Sequence, residues 1–455
     1  RTTVNGRIIV GGKGRKHPKE ADVFLHIAMK VAKNCRYVEP QFTLRFDKET
    51  SEEIWDEALD ALGAGATYPT LYNDDVNVPA VMYGMRVDEK TAEQYVPFGC
   101  TEFVIQGQST GTPNICINLL KLLTIYMNDG IDPIDGKRKS GPVPLKKLEE
   151  YQTFEEFYDG YKALLDYYLD LSVKAQYHSY EVMNQHVSFL FTSLLTDDCI
   201  ARGKALLDGG VRYLGGTNET YGNINTSDSL WVIRDLVFNQ KKYTLRQLND
   251  AMLANFNGYE ALRKDCLNCD KYGNDLETAD TMANDLYEFV AKGVRNRGIA
   301  IGMQYFLIVI SNNQLNTEWG NRTAASPDGR LSCMYMNPAN NPQGGANKSG
   351  PTAMLNSLAK FDAKYHGGSV QNIKFSPSMF NENRAVIKSL FKTYFAKGGC
   401  HLMVTVVDKG VLEDAVEHPE NYPDLIVRVS GFSAVFVDLS PNIQQELLSR
   451  VLYDK

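Results

Sequence analysis

Arg428-Val-Ser-Gly431-Phe-Ser-Ala-Val-Phe436, near the end of the 455-residue sequence, decides how the rest of the chain is read. Leu425 to Val429 is apolar apart from Arg428, and Ala434, Val435, Phe436 and Val437 resume the apolar run after Gly431, so two strands are predicted to meet at a glycine. A glycine inside such a pattern ordinarily marks a bulge, a turn or a close backbone approach. Glycine also has a chemical property that no other residue shares. Its Cα carries two hydrogens and no side chain, so a radical left by loss of one hydrogen can lie in plane with both flanking amides.

The second stretch is Phe98-Gly99-Cys100-Thr101-Glu102. Taken alone, Cys100 reads as a buried structural thiol, and Glu102 as a cap for Thr101 or for the turn that follows. The two motifs together resemble the glycyl radical enzymes. Members of that family end in Arg-Val-x-Gly-Tyr/Phe, and many of its lyases carry Gly-Cys-x-Glu on a loop far upstream. Other stretches follow the family in the same order: Pro69 to Asp75, Asp228-Ser-Leu230, Lys271 to Asp275, Ser326 to Arg330, Gly350 to Ala353 and Gly398 to Leu402.

The resemblance implies a fold and a chemistry. The fold is α/β: a ten-stranded barrel flanked by helices, with the cysteine loop and glycine loop meeting inside it. Members are roughly twice as long as this chain, so it is expected to supply the C-terminal half, either as a fragment or beside a second chain carrying the N-terminal half. Residues 1–455 are then one catalytic domain, with the barrel region and cysteine loop in 1–400 and the glycyl radical part in 401–455. Gly431 is expected to store the radical, Cys100 to abstract the substrate hydrogen, and Glu102 to act as base. No cofactor is expected in the chain itself. A separate activating enzyme with an iron-sulfur cluster and S-adenosylmethionine would install the radical.

Gly-Cys-x-Glu disfavours the formate-lyase members, which carry two adjacent cysteines, and the fumarate-adding synthases, which lack the glutamate. A lyase or dehydratase that eliminates water or another leaving group beside a hydroxylated carbon is the leading reading. The sequence departs from the diol pattern in two places: Phe103 follows the glutamate where Pro is common, and Ser109 to Asn114 stands where a Trp-His-Asp-like cluster is common. Phe98, Phe103 and the neutral Gln106 to Ser109 are expected to line a less charged pocket, which keeps arylacetate decarboxylation as the alternative. A subunit inactive without its N-terminal partner is the third reading.

Composition is that of an ordinary globular protein, with 43% hydrophobic and 23% charged residues. A net charge of −7 argues against nucleic acid as a partner. No apolar run approaches the ~20 residues of a membrane helix, and no signal-peptide pattern is present, so a cytoplasmic location is expected; the resemblance implies a homo- or hetero-oligomer acting on a small molecule. Eight scattered cysteines suit free thiols better than a disulfide scaffold. Cys266-x-x-Cys269 lacks a second ligand pair for a metal and reads as a turn between helices.

Periodicity predicts helices at 20–33, 50–62, 80–83, 90–95, from Pro113 through Leu123, and over 153–195 with a break near Gly160. His178 and His186 share a face of the last without assigned chemistry. Asn73-Asp74-Asp75 reads as a helix start in preference to a cation site. Further helices are expected at 224–238, 244–257, 278–296, 351–360, 383–396, 410–417 and 441–452. Strands are expected at 41–46, 68–72, 211–214, 304–311, 369–374, 401–407 and 424–429, with a loop over 337–351. Such alternation makes an α/β architecture.

Overall fold

The computed structural model describes residues 6–35, 38–111, 114–310 and 314–454. In chain order the strands are β1 (Arg7–Gly11), β2 (Gln41–Phe46), β3 (Thr70–Asn73), β4 (Tyr95–Phe98) and β5 (Glu102–Ile105). There follow β6 (Asn114–Asn118), β7 (Gly215–Tyr221), β8 (Tyr305–Ile310) and β9 (His366–Ser369). The last four are β10 (Asn372–Phe375), β11 (His401–Val406), β12 (Ile426–Arg428) and β13 (Ser433–Val435).

One sheet has five strands in the order β1-β2-β3-β11-β10, parallel except where β3 meets β11. A second has four parallel strands, β6-β7-β8-β9. The two hairpins β4–β5 and β12–β13 complete the set. Sheets of five and four strands already exceed half of a ten-stranded set. The β4–β5 hairpin packs on β9 of the four-stranded sheet, and the β12–β13 hairpin on β11 of the five-stranded one, so each tip approaches from a different sheet.

Each strand's composition reports its surroundings. Tyr305-Phe-Leu-Ile-Val-Ile310 is buried at every position, as a parallel strand covered on both faces requires. Its neighbour β7, Gly-Gly-Thr-Asn-Glu-Thr-Tyr, is equally buried but polar, which hides it from apolar pattern reading. The expected strand at 211–214 gives only an isolated bridge, Ser109 to Tyr213, and the strand proper starts at Gly215. A Cβ at Gly215 would stand 2.3 Å from the Tyr305 ring, so glycine lets β8 place its aromatic there.

Other expectations shift in the same way. Ile115 lies in β6, and the helix begins only at Leu119, where the Asn118 side chain caps the Lys121 amide; Pro113 falls outside the described residues. The helix Phe154–His186 runs straight through Gly160 and ends at Val187, ahead of the positive-φ pair Ser188 and Phe189. Gly160 serves packing instead: a Cβ there would lie 2.2 Å from the Tyr126 hydroxyl. His178 and His186 are exposed on that helix. Cys266 sits inside the helix Glu260–Asn268 and Cys269 ends it, and among the described residues no metal-donor cluster forms around them. The segment 384–396 forms a helix as expected, preceded by a separate short one, Pro377–Glu382.

Asn73-Asp74-Asp75 opens the helix Asp74–Met85, with the Asn73 side chain accepting from the Asp75 amide. Asp74 is fully buried and takes both Nε and Nη2 of Arg45, at 2.9 and 2.7 Å, while the Tyr95 hydroxyl donates to it at 2.8 Å. Arg45 also donates to the Tyr95 carbonyl at 2.9 Å. Removing one partner of such a buried pair costs on the order of 3–5 kcal/mol. The network ties the first residue of β4 to the five-stranded sheet and so fixes the base of the cysteine hairpin. Among the described residues no helix is long and apolar enough to cross a membrane.

The helix Glu277–Ala300 covers β8 at very short range: a Cβ at Gly298 would come within 2.1 Å of the Phe306 Cβ. Alanine is intrinsically better than glycine in a helix by about 1 kcal/mol, but overpacking against a strand backbone costs about 1–3 kcal/mol. Gly298→Ala is therefore expected to lower the urea midpoint of unfolding; a midpoint raised by the substitution would show that helix and strand are not in such contact.

Candidate active site

The glycine hairpin closes at the Arg428–Ser433 pair, and the amides of Val429 and Ser430 both donate to the Phe432 carbonyl at 3.1 and 3.4 Å, which leaves Gly431 at the tip. The cysteine hairpin closes at the Phe98–Glu102 pair, with Gly99, Cys100 and Thr101 as its turn. Gly99 has φ +52°, and a Cβ there would meet a Glu102 carboxylate oxygen at 2.6 Å. The two tips touch. A Cβ built on Gly431 would lie 2.2 Å from the Cys100 Cα and 2.7 Å from its Sγ, so no other residue fits at 431 without moving one tip.

The meeting point of the tips is buried, although Gly99 on the outer side of the cysteine turn is exposed, and both hairpins are anchored from below. Cys100 is 9% exposed, and Ser430 and Thr101 are fully buried. Gly368, at φ +141°, presents bare backbone to the cysteine turn; a Cβ there would be 2.3 Å from the Thr101 carbonyl oxygen. Arg428 is buried beneath the glycine hairpin, donating from Nε to the Met403 sulfur and from Nη1 to the Ser433 hydroxyl, with its guanidinium 5.1 Å from the Tyr68 ring centre. Arg450, paired with Glu446 on the final helix, donates to the Val429 carbonyl at 2.6 Å.

Glu102 is 3% exposed and does not sit on an extended loop beside Cys100, as the i, i+2 spacing suggests; the tight turn folds its carboxylate back over the hairpin. One oxygen accepts from the Thr101 amide at 2.9 Å, and the other from the Asn114 side-chain amide at 3.2 Å. The same Asn114 nitrogen donates to Glu219 at 2.7 Å, and the Tyr221 hydroxyl donates to the other Glu219 oxygen at 2.5 Å. Asn114 thus bridges two buried carboxylates. Phe103, one residue on, points the opposite way into the core against Tyr95 and does not line a pocket; the strand's two-residue period requires that. Arg7 and Glu219 escaped sequence reading because they lie on strands far from either motif, and Asn114, noted only as part of the 109–114 departure from the diol pattern, was given no role. The one available signal was the Thr-Asn-Glu-Thr run of β7, too polar for an ordinary buried strand.

Burial pushes the Cys100 thiol well above its ordinary value, with Glu102 and then Glu219 adding to the effect and Arg7 and Arg428 opposing it. The sulfur therefore keeps its hydrogen. Burial also raises the Glu102 carboxyl, against the pull of the Thr101 amide. A carboxyl whose native pKa is raised binds its proton more tightly when folded, so the folded state loses stability as pH rises above the unfolded value of about 4.3. The loss levels off beyond the raised native value. Glu102→Gln removes this term, and urea titrations across that window are expected to show the variant gaining on the parent protein as pH rises. Curves that stay parallel from pH 4 to pH 8 would contradict the assignment.

Residues 2–315 match the family model described as pyruvate formate lyase-like, and residues 336–437 match the one described as glycine radical. The chain is 30% identical over 428 residues to trans-4-hydroxy-L-proline dehydratase of Clostridioides difficile, covering 93% of this chain and 54% of that one. It is 27% identical over 455 residues to (2S)-3-sulfopropanediol dehydratase of Klebsiella oxytoca, covering 97% and 54%. The glycerol-bound B12-independent glycerol dehydratase of Clostridium butyricum superposes with a TM-score of 0.91 at 28% identity, covering 99% of this chain and 57% of that structure. The chain thus spans about half the length of the curated relatives it matches. With tip meeting tip in an α/β barrel of this shape, the chain belongs to the glycyl radical enzymes of the pyruvate formate lyase-like family.

Proposed function

We propose that this chain carries the radical machinery of a lyase that eliminates water or a similar leaving group next to a hydroxylated carbon. The observation that carries the reading is the contact of the Gly431 backbone carbon with the Cys100 sulfur, beside the buried carboxylate of Glu102. The match to dehydratases of hydroxylated small molecules supports the same class.

In this proposal a separate activating enzyme removes one hydrogen atom from the Gly431 Cα. The glycyl radical then takes the hydrogen atom of the Cys100 thiol, leaving a thiyl radical. A thiol kept protonated by burial suits this step, because the S–H bond is split homolytically and no proton is released. The thiyl radical takes a hydrogen atom from the hydroxylated carbon of the substrate. A hydroxyl on a radical carbon is far more acidic, and Glu102 takes its proton while the C–O bond to the neighbouring leaving group breaks; the same proton passes to the departing hydroxyl, which leaves as water and restores the carboxylate. Positioned base catalysis of this kind is worth roughly 10²- to 10⁴-fold. The product radical recovers a hydrogen atom from Cys100, and the thiyl radical recovers one from Gly431 for storage.

Of the two aromatics expected beside the site, Phe103 is buried in the core and Phe98 is exposed next to the cysteine turn, so arylacetate decarboxylation stays as the alternative on Phe98 alone. A second chain, or a further segment, is proposed to supply the remaining walls of the substrate site. The test is electron spin resonance after anaerobic incubation with a radical S-adenosylmethionine activating enzyme. Wild type is expected to give a doublet that Gly431→Ala lacks and Cys100→Ser retains. Product assays against 1,2-diols, hydroxyproline and 4-hydroxyphenylacetate then assign the substrate, with Cys100→Ser inactive and Glu102→Gln slowed at least about 100-fold. No doublet in wild type, or an undiminished rate in Glu102→Gln, would overturn the corresponding part.

A further inference from the structure

We infer that Arg7 is a positioning residue that tethers the glycine hairpin to the cysteine hairpin and polarises the Gly431 carbonyl. The inference rests on the radical reading above for its second half only. Arg7 opens β1, the edge strand of the five-stranded sheet, where it pairs in register with Gln41 of β2. Its Nη2 donates its two hydrogens to the Gly99 carbonyl at 2.6 Å and to the Gln41 side-chain oxygen at 2.7 Å, and one of them is shared with the Gly431 carbonyl at 3.5 Å. Its Nη1 donates to the Pro97 carbonyl at 3.4 Å. One guanidinium therefore reaches the backbone of both tips from a third element that belongs to neither.

A guanidinium suits this task, being planar, permanently charged and furnished with five N–H donors. Among the described residues Arg7 forms no ion pair with a carboxylate, so its charge is directed at carbonyl dipoles and is not neutralised by an acid. Charge-assisted hydrogen bonds are about twice as strong as neutral ones. The short bond to Gly99 holds the cysteine turn firmly. The contact to Gly431 at 3.5 Å is the weaker arm, so the glycine hairpin can separate while the short bond to Gly99 is kept.

The second half follows from electronic structure. A radical at the Gly431 Cα spreads into its own carbonyl, whose oxygen gains electron density, and a cation hydrogen-bonded to that oxygen lowers the energy of this form. Arg7 is the cation at that atom. A neutral side chain in its place keeps neither the tether nor the polarisation, whereas lysine keeps the charge but lacks the planar fork.

The experiment uses Arg7→Gln and Arg7→Lys in the whole chain. Hydrogen exchange of the unactivated protein, read by mass spectrometry, is expected to speed up at residues 429–432 by about 10-fold in Arg7→Gln, the order of effect of losing one charge-assisted hydrogen bond. Arg7→Lys is expected to fall between, and the helix Glu277–Ala300 to stay unchanged as a control for folding. After anaerobic activation, the Arg7→Gln doublet is expected to decay faster than the wild-type doublet, with Arg7→Lys restoring part of its lifetime. Unchanged exchange at 429–432, or a rise equal in every segment, overturns the tether. Equal doublet lifetimes in wild type and Arg7→Gln overturn the polarisation. Exchange needs no radical, so a wild type without a doublet counts against the radical reading and leaves the tether judged on exchange.

Discussion

No side chain fits between the backbone at 431 and the sulfur at 100, and much of the architecture exists to keep it that way. Two hairpins must meet head-on at a separation smaller than a methyl group would permit, and neither can do so alone, because isolated two-stranded hairpins are marginal in water. Each is therefore braced. The cysteine hairpin is fixed at its base by the Arg45–Asp74–Tyr95 network and seated at its turn on the bare backbone of Gly368. The glycine hairpin is held by a buried arginine beneath it and by Arg450 from the final helix.

Sealing such a contact requires polar groups in an otherwise apolar interior, and that demand explains β7. A strand that places Thr217, Asn218 and Glu219 in the interior has no apolar pattern, yet it lies between β6 and β8 and is buried throughout. Glu219 reaches Glu102 through Asn114 of β6, so two neighbouring strands support the buried carboxylate carried by the hairpin. The electrostatics work as one unit: two carboxylates and the loss of water raise the Cys100 thiol, and two arginines moderate the rise.

Both decisive loops were legible in sequence because each is short, local and chemically unusual: a glycine joining two apolar strands, and a cysteine between a glycine and a glutamate. The strongly apolar β8, the alternating β2 and helices with clear start signals such as Ser51 and Thr153 were legible for the same reason, although β2 is buried on both faces and not half-buried as its alternation suggests. What escaped was set by neighbours. Gly160 looks like a helix breaker but exists to admit a tyrosine, Ile115 looks helical but lies in a strand, and Phe103 looks like a pocket wall but alternates into the core. Arg7 belongs to no motif at all. Its place becomes visible only when the first strand of one sheet is found beside both tips.

The burial of Cys100 also bears on how the resting protein ages. Thiolate form and access govern attack by electrophiles and by peroxide, and this sulfur has neither in abundance, whereas Cys35 and Cys333 are exposed. Alkylating agents and two-electron oxidants would be consumed at those outlying positions first, and Cys100 would be spared. The same enclosure that holds a hydrogen on the sulfur separates the chemistry of storage from that of damage.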